Sequence, residues 1–357
     1  MKIFVTGGSG FIGRHLVRQL VARKHTVKAL SRSPNSDMLL HQMGAQPVRG
    51  HLHDLPALRA GMEKCDAVFH LAAWYGLGKR RAAQAERINV AGTRNVLHTA
   101  HQAGIPRIIY TSTIAVFGDT KGRLVDETYQ HAGPFLSEYD RTKWLAHYRV
   151  ALPLIEQGAP ITIVMPGAVY GPGDTSIVHD LMRLFLQGRM PIIPGPETAL
   201  AYAHVEDVAR GHILALEKGK IGESYILAGP VRTMREMAHL WSALGERPAP
   251  RLEIPAGLLH PIAPLMGLLE TLVDLPAPFT EEAVRSLGAT YIARSDKARA
   301  ELGWEPRPVE EGMRETANSI LPYLPPPADA DTRRKRSAAA LLIAALFTIL
   351  WLMNRDE

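Results

Sequence analysis

A tyrosine and a lysine stand four positions apart in the segment Tyr139-Asp140-Arg141-Thr142-Lys143. On a helix, residues four apart share one face, so the phenol and the ammonium group would be neighbours. A nearby ammonium group favours the phenolate and lowers the pKa of the tyrosine towards a range that is useful for proton transfer. The spacing therefore predicts acid–base chemistry at Tyr139, supported by Lys143.

A run of hydroxyl residues, Tyr110-Thr111-Ser112-Thr113, precedes this pair at the end of a predicted strand. One of these hydroxyls can donate a hydrogen bond to a substrate carbonyl or hydroxyl oxygen. A hydroxyl run, a tyrosine and a lysine in this order on one chain predict a reaction at a carbon that carries oxygen.

A glycine-rich turn joins the first predicted strand, Lys2–Thr6, to a predicted helix that begins at Phe11. Its glycines Gly7, Gly10 and Gly13 have the spacing Gly-x-x-Gly-x-x-Gly. Glycines let the backbone approach a pyrophosphate, and the helix N-terminus supplies free N–H groups and a positive dipole. This context predicts a dinucleotide site.

The end of the second predicted strand bears on which dinucleotide binds. An NAD site usually has Asp or Glu there for the ribose hydroxyls, whereas this chain has Ser31 and Arg32. Arg32 can pair with a 2′-phosphate. We therefore expect NADP(H), with NAD(H) as the alternative.

Short apolar strands alternate with helical stretches through the first half of the chain. The predicted strands are Lys2–Thr6, Thr26–Leu30, Ala67–Ala72, Arg107–Thr111 and Ile161–Val164. This alternation predicts an α/β fold of the Rossmann type, a doubly wound parallel sheet with helices on both faces. We expect a dinucleotide-binding domain over residues 1–165.

Proline and glycine become dense after residue 165, which predicts a smaller α/β substrate lobe over residues 166–321, with some segments interleaved with the first domain. The apolar, proline-punctuated stretch Pro255–Pro278 is expected to form lobe core, with a substrate pocket or a membrane surface as the alternatives. A Pro-rich and then basic linker is expected at 322–336.

The composition of the chain argues against several classes of site and partner. Cys65 is the single cysteine, which excludes an internal disulfide and argues against cysteine-based metal sites; we expect no metal. The net charge of +6 largely reflects the cluster Arg333-Arg334-Lys335-Arg336, so we expect no nucleic-acid partner.

An uncharged apolar run at 337–353 follows this cluster. It predicts a C-terminal transmembrane helix, and the basic residues before it predict a cytoplasmic catalytic domain held at the membrane.

These segments together resemble the extended short-chain dehydrogenases/reductases, which include the NAD-dependent epimerase/dehydratases. Within that family the chain is similar to dihydroflavonol reductase-like, 3β-hydroxysteroid dehydrogenase-like and hopanoid-associated sugar epimerase proteins. The resemblance runs from Met1 to about Leu321. The matching segments are VTGGSGFIGRHL, VFHLAA, NVAGTRNVL, YTSTIAVFG, YDRTK, PGAVYGPGD, HVEDVARGHILALE and SDKARAELGWEPR.

The resemblance implies roles for individual residues. Tyr139 would be the general acid/base, Lys143 would bind the nicotinamide ribose and tune the tyrosine, and Thr113, beside Ser112, would orient the substrate. Asn89 matches the asparagine of the family's central helix and is assigned to the catalytic set. The cofactor set comprises Gly7, Gly10, Phe11, Ile12, Gly13, Arg32, His51, Leu52, Leu71, Ala72, Ala73, Tyr139, Lys143, Pro166 and Val169.

Two departures from the family pattern refine this expectation. His51 replaces the aspartate that usually accepts the adenine amino group, and a neutral imidazole can accept one hydrogen bond. The stretch Ala199–Ala203 lacks the arginine with which nucleotide-sugar members often hold a diphosphate. This favours an uncharged, more apolar substrate, and the predicted membrane anchor points the same way, towards a lipid-like alcohol or ketone.

Three functions are compatible with these residues. The first is an NAD(P)-dependent oxidoreductase, and the second is a sugar or sugar-like epimerase that uses the same residues by transient oxidation. The third, a non-catalytic NADP(H)-binding subunit, is disfavoured because Tyr139 and Lys143 are both kept. Ile114 and Ala115 replace the acid/base pair of dehydratases. The resemblance also implies a homodimer through the helices around Arg87–Ala103 and Tyr139–Tyr148.

Overall fold

A computed structural model of the chain describes residues 1–76, 82–131 and 133–324. Its strands are β1 (Lys2–Thr6), β2 (Thr26–Ser31), β3 (Gln46–Arg49), β4 (Ala67–His70), β5 (Ile108–Thr111), β6 (Ile161–Pro166), β7 (Ala168–Tyr170), β8 (Ile192–Pro194), β9 (Ala199–His204), β10 (Ser224–Leu227), β11 (Val231–Thr233), β12 (Leu252–Ile254) and β13 (Thr290–Tyr291).

The α-helices are α1 (Phe11–Ala22), α2 (Pro34–Gln42), α3 (Leu55–Met62), α4 (Ala82–Glu86), α5 (Thr93–Gln102), α6 (Glu138–Ala146), α7 (Leu152–Glu156), α8 (Ile177–Leu186), α9 (Val205–Lys218), α10 (Met234–Gly245), α11 (Ala256–Leu259), α12 (Ala263–Leu272), α13 (Glu281–Arg285) and α14 (Val309–Ile320). Short π and 3₁₀ segments join several of them, including Arg87–Gly92 and Ile114–Phe117.

Seven parallel strands form the main sheet in the order β10-β6-β5-β4-β1-β2-β3. Strand residues alternate between its faces. Ile3 and Val5 pack into one apolar core with α1 and α9, whereas Phe4 packs into the opposite core with α3 and α5. Burial of both faces explains the near-continuous apolar strands and confirms the predicted Rossmann-type sheet.

The order of the strands brings a late segment back to the sheet. β10 pairs with β6, and α9 packs on α1, so residues 205–227 cover and extend the first domain. Smaller sheets built on β9 and β8 form the lobe. Its separate core includes Met182, Trp241 and Met313.

The prediction of a transmembrane helix within the fold is corrected. Among the residues that the structure describes, no helix is both long and apolar enough to cross a bilayer. The run at 337–353, on which the prediction was based, and the linker beyond residue 324 lie outside the described residues.

Candidate active site

The glycine turn between β1 and α1 is packed too tightly for side chains. Gly7 has φ +76°, and a Cβ there would lie 2.6 Å from the backbone nitrogen of Ala72. A Cβ on Gly13 would lie 2.0 Å from the carbonyl oxygen of Gly7. The first turn of α1 carries no acidic residue and no side-chain cap. Its N–H groups can therefore receive an anionic pyrophosphate, and the turn fits a dinucleotide.

A central cavity of about 1620 Å³ opens from this turn towards the lobe. The structure brings the whole predicted cofactor set to its wall: Gly7, Gly10, Phe11, Ile12, Gly13, Arg32, His51, Leu52, Leu71, Ala72, Ala73, Tyr139, Lys143, Pro166 and Val169. Ser112 and Thr113 line the same cavity. These residues come from the carboxyl ends of parallel strands and the helices that follow, the usual ligand edge of such sheets.

Lys143 is held beneath the site by α6, which begins after the N-cap Ser137. Its side chain is buried, and its ammonium group donates a hydrogen bond to the carbonyl oxygen of Thr111 at 2.8 Å. The same nitrogen lies 5.1 Å from the ring centroid of Tyr110. Burial lowers the pKa of Lys143 to about 7. The group can therefore change charge near neutral pH.

Tyr139 differs from the sequence-based expectation. Burial, and then the neighbouring Tyr75, raise the pKa of the Tyr139 phenol above its ordinary value, while a hydrogen bond with Thr113 opposes the shift. Desolvation is the largest cause of the shift, and Lys143 is not among the groups that shift this pKa, so the expected lowering was wrong. A phenol in this environment stays protonated at neutral pH.

The two hydroxyl residues have different surroundings. Thr113 caps the short helix that begins at Ile114, and its Oγ1 accepts from the N–H of Ala115 at 3.2 Å. The Oγ of Ser112 lies 2.8 Å from Nδ1 of buried His147. Thr113 also forms a hydrogen bond with the phenol of Tyr139, whereas Ser112 is hydrogen-bonded to the imidazole of His147.

Asn89 is not among the described residues that line the cavity. It is 1% exposed, and its amide bonds both backbone polar groups of Trp74, at 2.7 and 3.0 Å, and Thr142 Oγ1 at 2.9 Å. It therefore ties the loop after β4 to α6. In this geometry Asn89 holds the loop after β4 and helix α6 in place from behind the cavity wall.

Sequence reasoning missed Tyr75, Asp140 and Tyr291 on the cavity wall. The ring of Tyr75 meets Tyr139 edge to face, with centroids 5.1 Å apart. Tyr291 donates a hydrogen bond to Asp140 Oδ2 at 2.9 Å. The adjacent aromatic residues Trp74 and Tyr75, which follow β4, were a sequence signal from which Tyr75 could have been predicted. Tyr291 follows the tyrosine motif by about 150 residues, and nothing in the local pattern marks it.

His204, Glu206 and Glu315 place possible metal-ligand atoms within 4.8 Å of one another. The guanidinium of Arg307 already donates to Glu206 and Glu315, at 3.0 and 3.1 Å, and also to Asp207. This cation occupies the position that would attract a metal ion. The cluster is an ion-pair network that fastens residues after the last strand to α9.

Comparison with known proteins identifies the family. The profile of the NAD dependent epimerase/dehydratase family matches residues 3–228. A 4-hydroxy-2-methyl-3-oxo-4-farnesyl-3,4-dihydroquinoline-1-oxide ketoreductase from Stigmatella aurantiaca is 36% identical over 86% of this chain and 92% of its own. Sterol demethylase protein B from Methylococcus capsulatus is 31% identical over 86% of this chain and 94% of its own. The chain belongs to the NAD dependent epimerase/dehydratase family.

Solved structures agree with this assignment. The crystal structure of gox2253 aligns with a TM-score of 0.78 and 31% identity, covering 90% of this chain and 98% of that one. MoeE5 in complex with UDP-glucose and NAD aligns with a TM-score of 0.71 at 24% identity, covering 90% and 99%, which shows the shared fold. The resemblance in the sequence is confirmed, and the protein is an NAD(P)-dependent oxidoreductase or epimerase that acts on a small molecule.

Proposed function

We propose that the protein is an NADP(H)-dependent oxidoreductase. It transfers hydride to or from the carbonyl or alcohol carbon of a large, uncharged and mainly apolar substrate, with Tyr139 as the acid–base residue. The observation that carries this proposal is the continuity of the central cavity, in which the cofactor set and Tyr139 share one space with an apolar lobe wall.

The lobe wall accounts for the substrate class. It consists mainly of aliphatic, methionine and aromatic side chains: Leu181, Leu184, Met190, Ile192, Leu200, Tyr202, Ile254, Leu259, Ile262, Met266, Phe279 and Leu287. Leu200 and Tyr202 belong to the stretch that lacks a cation. Leu259, Ile262 and Met266, together with Pro278, come from the stretch Pro255–Pro278, which therefore contributes to a pocket. A cavity of about 1620 Å³ exceeds the usual range of ~300–1,000 Å³ for ligand pockets.

Charged groups are scarce on this side of the cavity. Among the described lining residues of the lobe side they are Asp140, Asp174 and the exposed Arg189. Asp140 accepts a hydrogen bond from Tyr291, and Asp174 accepts one from the N–H of Ser176 at 2.7 Å. Burying a further charge from the substrate against this wall would cost several kcal/mol, roughly, in solvation.

The cofactor would be held by the glycine turn, Arg32 and Lys143, and when bound it supplies or accepts the hydride. Tyr139 donates a proton to the substrate oxygen as the carbonyl is reduced, and takes it back in the reverse direction. Thr113 donates a hydrogen bond to the same oxygen. The raised pKa keeps the Tyr139 phenol protonated at neutral pH, which is the state from which it donates.

The preference for NADP(H) follows from charge. Arg32 and Arg87 both line the cavity, and the carboxylates among the described lining residues, Asp140 and Asp174, lie far along the chain from the end of β2. A guanidinium without a competing carboxylate favours a 2′-phosphate over a free ribose hydroxyl.

Relatives support the substrate class by their names. They include the farnesyl-dihydroquinoline-oxide ketoreductase, the sterol demethylase protein and a 3 beta-hydroxysteroid dehydrogenase/Delta 5-->4-isomerase from Mycobacterium tuberculosis, 28% identical over 85% of this chain. Each of these names includes a farnesyl or steroid group.

The first test identifies any nucleotide that copurifies with the protein and then measures turnover of NADPH with apolar ketones. An empty site that prefers NADPH and reduces a steroid or long-chain ketone is expected. Tightly held, slowly exchanging NAD would overturn the NADP(H) assignment and favour the epimerase. Tyr139→Phe should lower kcat by roughly 10²–10⁴-fold without loss of nucleotide binding. Tyr323→Phe, at a side chain that is 87% exposed, is the matched control.

A further inference from the structure

The first turn of α6 is bonded to the substrate lobe on both sides of Tyr139. The N–H of Glu138 donates to Glu282 Oε1 of α13 at 3.0 Å. On the other side, Asp140 Oδ2 accepts from the phenol of Tyr291 at 2.9 Å. The backbone that carries the acid–base residue is therefore held between two contacts with the lobe.

Tyr291 is itself fixed in position. Its neighbour Thr290 donates its N–H to Asp119 Oδ1 at 2.9 Å and accepts, at its carbonyl oxygen, the N–H of Thr120 at 2.8 Å. Residues 119 and 120 follow the hydroxyl run of β5. The link from Asp140 through Tyr291 thus connects to the segment that follows Thr113. Thr113 in turn forms a hydrogen bond with the phenol of Tyr139.

Asp140 is an unusual group for this position because the residue is only 4% exposed and the hydrogen-bond partners of its side chain and N–H are neutral. The titratable groups that face it are Tyr291 from β13, Glu282 from α13, Tyr75 from the loop after β4 and Tyr139 on its own helix. Ser137 Oγ accepts the N–H of Asp140 at 3.1 Å. Burial raises the pKa of the Asp140 carboxyl to about 7, and Glu282 adds to the shift while the bond from Tyr291 opposes it.

We propose that Asp140 is a positioning residue that couples the substrate lobe to Tyr139, and that the coupling is complete only when its carboxyl is ionised. The ionised group accepts a charge-assisted hydrogen bond from Tyr291, which is shorter and stronger than a bond to the neutral acid. Protonation weakens this link and leaves the Glu138–Glu282 contact alone. The inference rests on the proposed function only for its effect on turnover.

The coupling is tested without a substrate by NMR of protein labelled with [4-¹³C]tyrosine and bound to NADP⁺. The signal of Tyr139, assigned by its absence in Tyr139→Phe, should follow a titration near neutral pH. The component of this titration that comes from Asp140 should vanish in Asp140→Asn and weaken in Tyr291→Phe, whereas a component that comes from Lys143 should remain in both. The component from Asp140 should persist in Tyr323→Phe. A signal of Tyr139 that titrates identically in wild type and Asp140→Asn would overturn the coupling.

Turnover of a steroid ketone supplies the second readout. Asp140→Asn and Tyr291→Phe should each lower kcat by about tenfold, with the KM for NADPH unchanged, and the double variant should be no worse than either single one. Asp140→Asn should also remove the acidic limb of the pH profile. Losses that multiply in the double variant would contradict a shared link. If Tyr139→Phe kept full turnover while the signal of Tyr139 still followed Asp140, the proposed function would fail and the coupling would stand.

Discussion

The two walls of the central cavity are built in different ways. The nucleotide wall is mostly backbone, since Gly7 and Gly13 allow β1, α1 and the loop after β4 to approach within contact distance. The lobe wall is mostly side chains, contributed by short elements spread over more than 100 residues between Leu181 and Leu287. A backbone wall has few permitted sequences. A wall of apolar side chains tolerates many exchanges of similar volume.

The largest expected effect comes from breaking the backbone wall. Gly13→Ala places a Cβ 2.0 Å from the carbonyl oxygen of Gly7, so the turn must open. We expect loss of NADPH binding by more than about 100-fold, measured by isothermal titration calorimetry. Gly257→Ala, where nothing lies within 4 Å of the added Cβ, is the matched control in the lobe. Normal NADPH affinity in Gly13→Ala would show that this turn does not hold the nucleotide.

Arg32 tests the specificity of the same wall. Arg32→Gln removes the guanidinium that we assign to the 2′-phosphate, and a charge-assisted hydrogen bond is worth ~1.5–3 kcal/mol. The Kd for NADPH should therefore rise by roughly 10- to 100-fold, while the Kd for NADH stays unchanged. Arg18→Gln is the matched control on α1. Equal weakening for both nucleotides would remove the argument for NADP(H).

A substitution in the lobe wall should change the binding of the substrate and leave the binding of the nucleotide unchanged. Leu200→Arg restores a cation to the stretch before the His204 segment, where nucleotide-sugar members carry one. We expect the KM for a steroid ketone to rise by about tenfold, because the guanidinium must be desolvated by the substrate. NADPH binding should not change. Leu200→Met, which keeps an apolar side chain, should behave like wild type. Unchanged KM in Leu200→Arg would place the substrate elsewhere in the cavity.

The same difference explains which features were predictable from the sequence. The glycine turn and the Tyr139–Lys143 pair rest on local spacing, so β1, α1 and α6 were predicted with their chemistry. β3 was missed because it is a short edge strand, only partly buried, that contains Pro47. The lobe strands are mostly three residues long, and their pairing depends on residues far apart, as for β13 with β9.

Burial also limits what spacing can predict about ionisation. Proximity of Lys143 was expected to lower the pKa of Tyr139, and the structure instead gives a raised pKa because the phenol is desolvated. Asn89 matches a family asparagine, yet its amide is taken up by Trp74 and Thr142. In both cases the sequence marks the residue, and its environment is determined by the fold.

The smallest expected effect concerns the junction between the walls. Asp140 has a pKa raised to about 7 in the folded protein, against about 3.9 in an unfolded chain. Between these values the folded protein binds more protons than the unfolded chain, so this group's contribution to the free energy of unfolding falls as pH rises and is fully lost above pH 7. Asp140→Asn removes that cost. Its Tm relative to wild type should therefore be higher at pH 8 than at pH 5, by a few degrees, on the order expected for 1–2 kcal/mol.

Thermal unfolding of both proteins at the two pH values measures this difference. Asp296→Asn, whose side chain is 76% exposed, is the matched control and should show no such dependence. A relative Tm that is the same at pH 5 and pH 8 would mean that Asp140 ionises in the folded protein as it does in an unfolded chain. The carboxyl would then be fully ionised at neutral pH, and the link between Tyr139 and the lobe would not respond to pH in the range where the enzyme works.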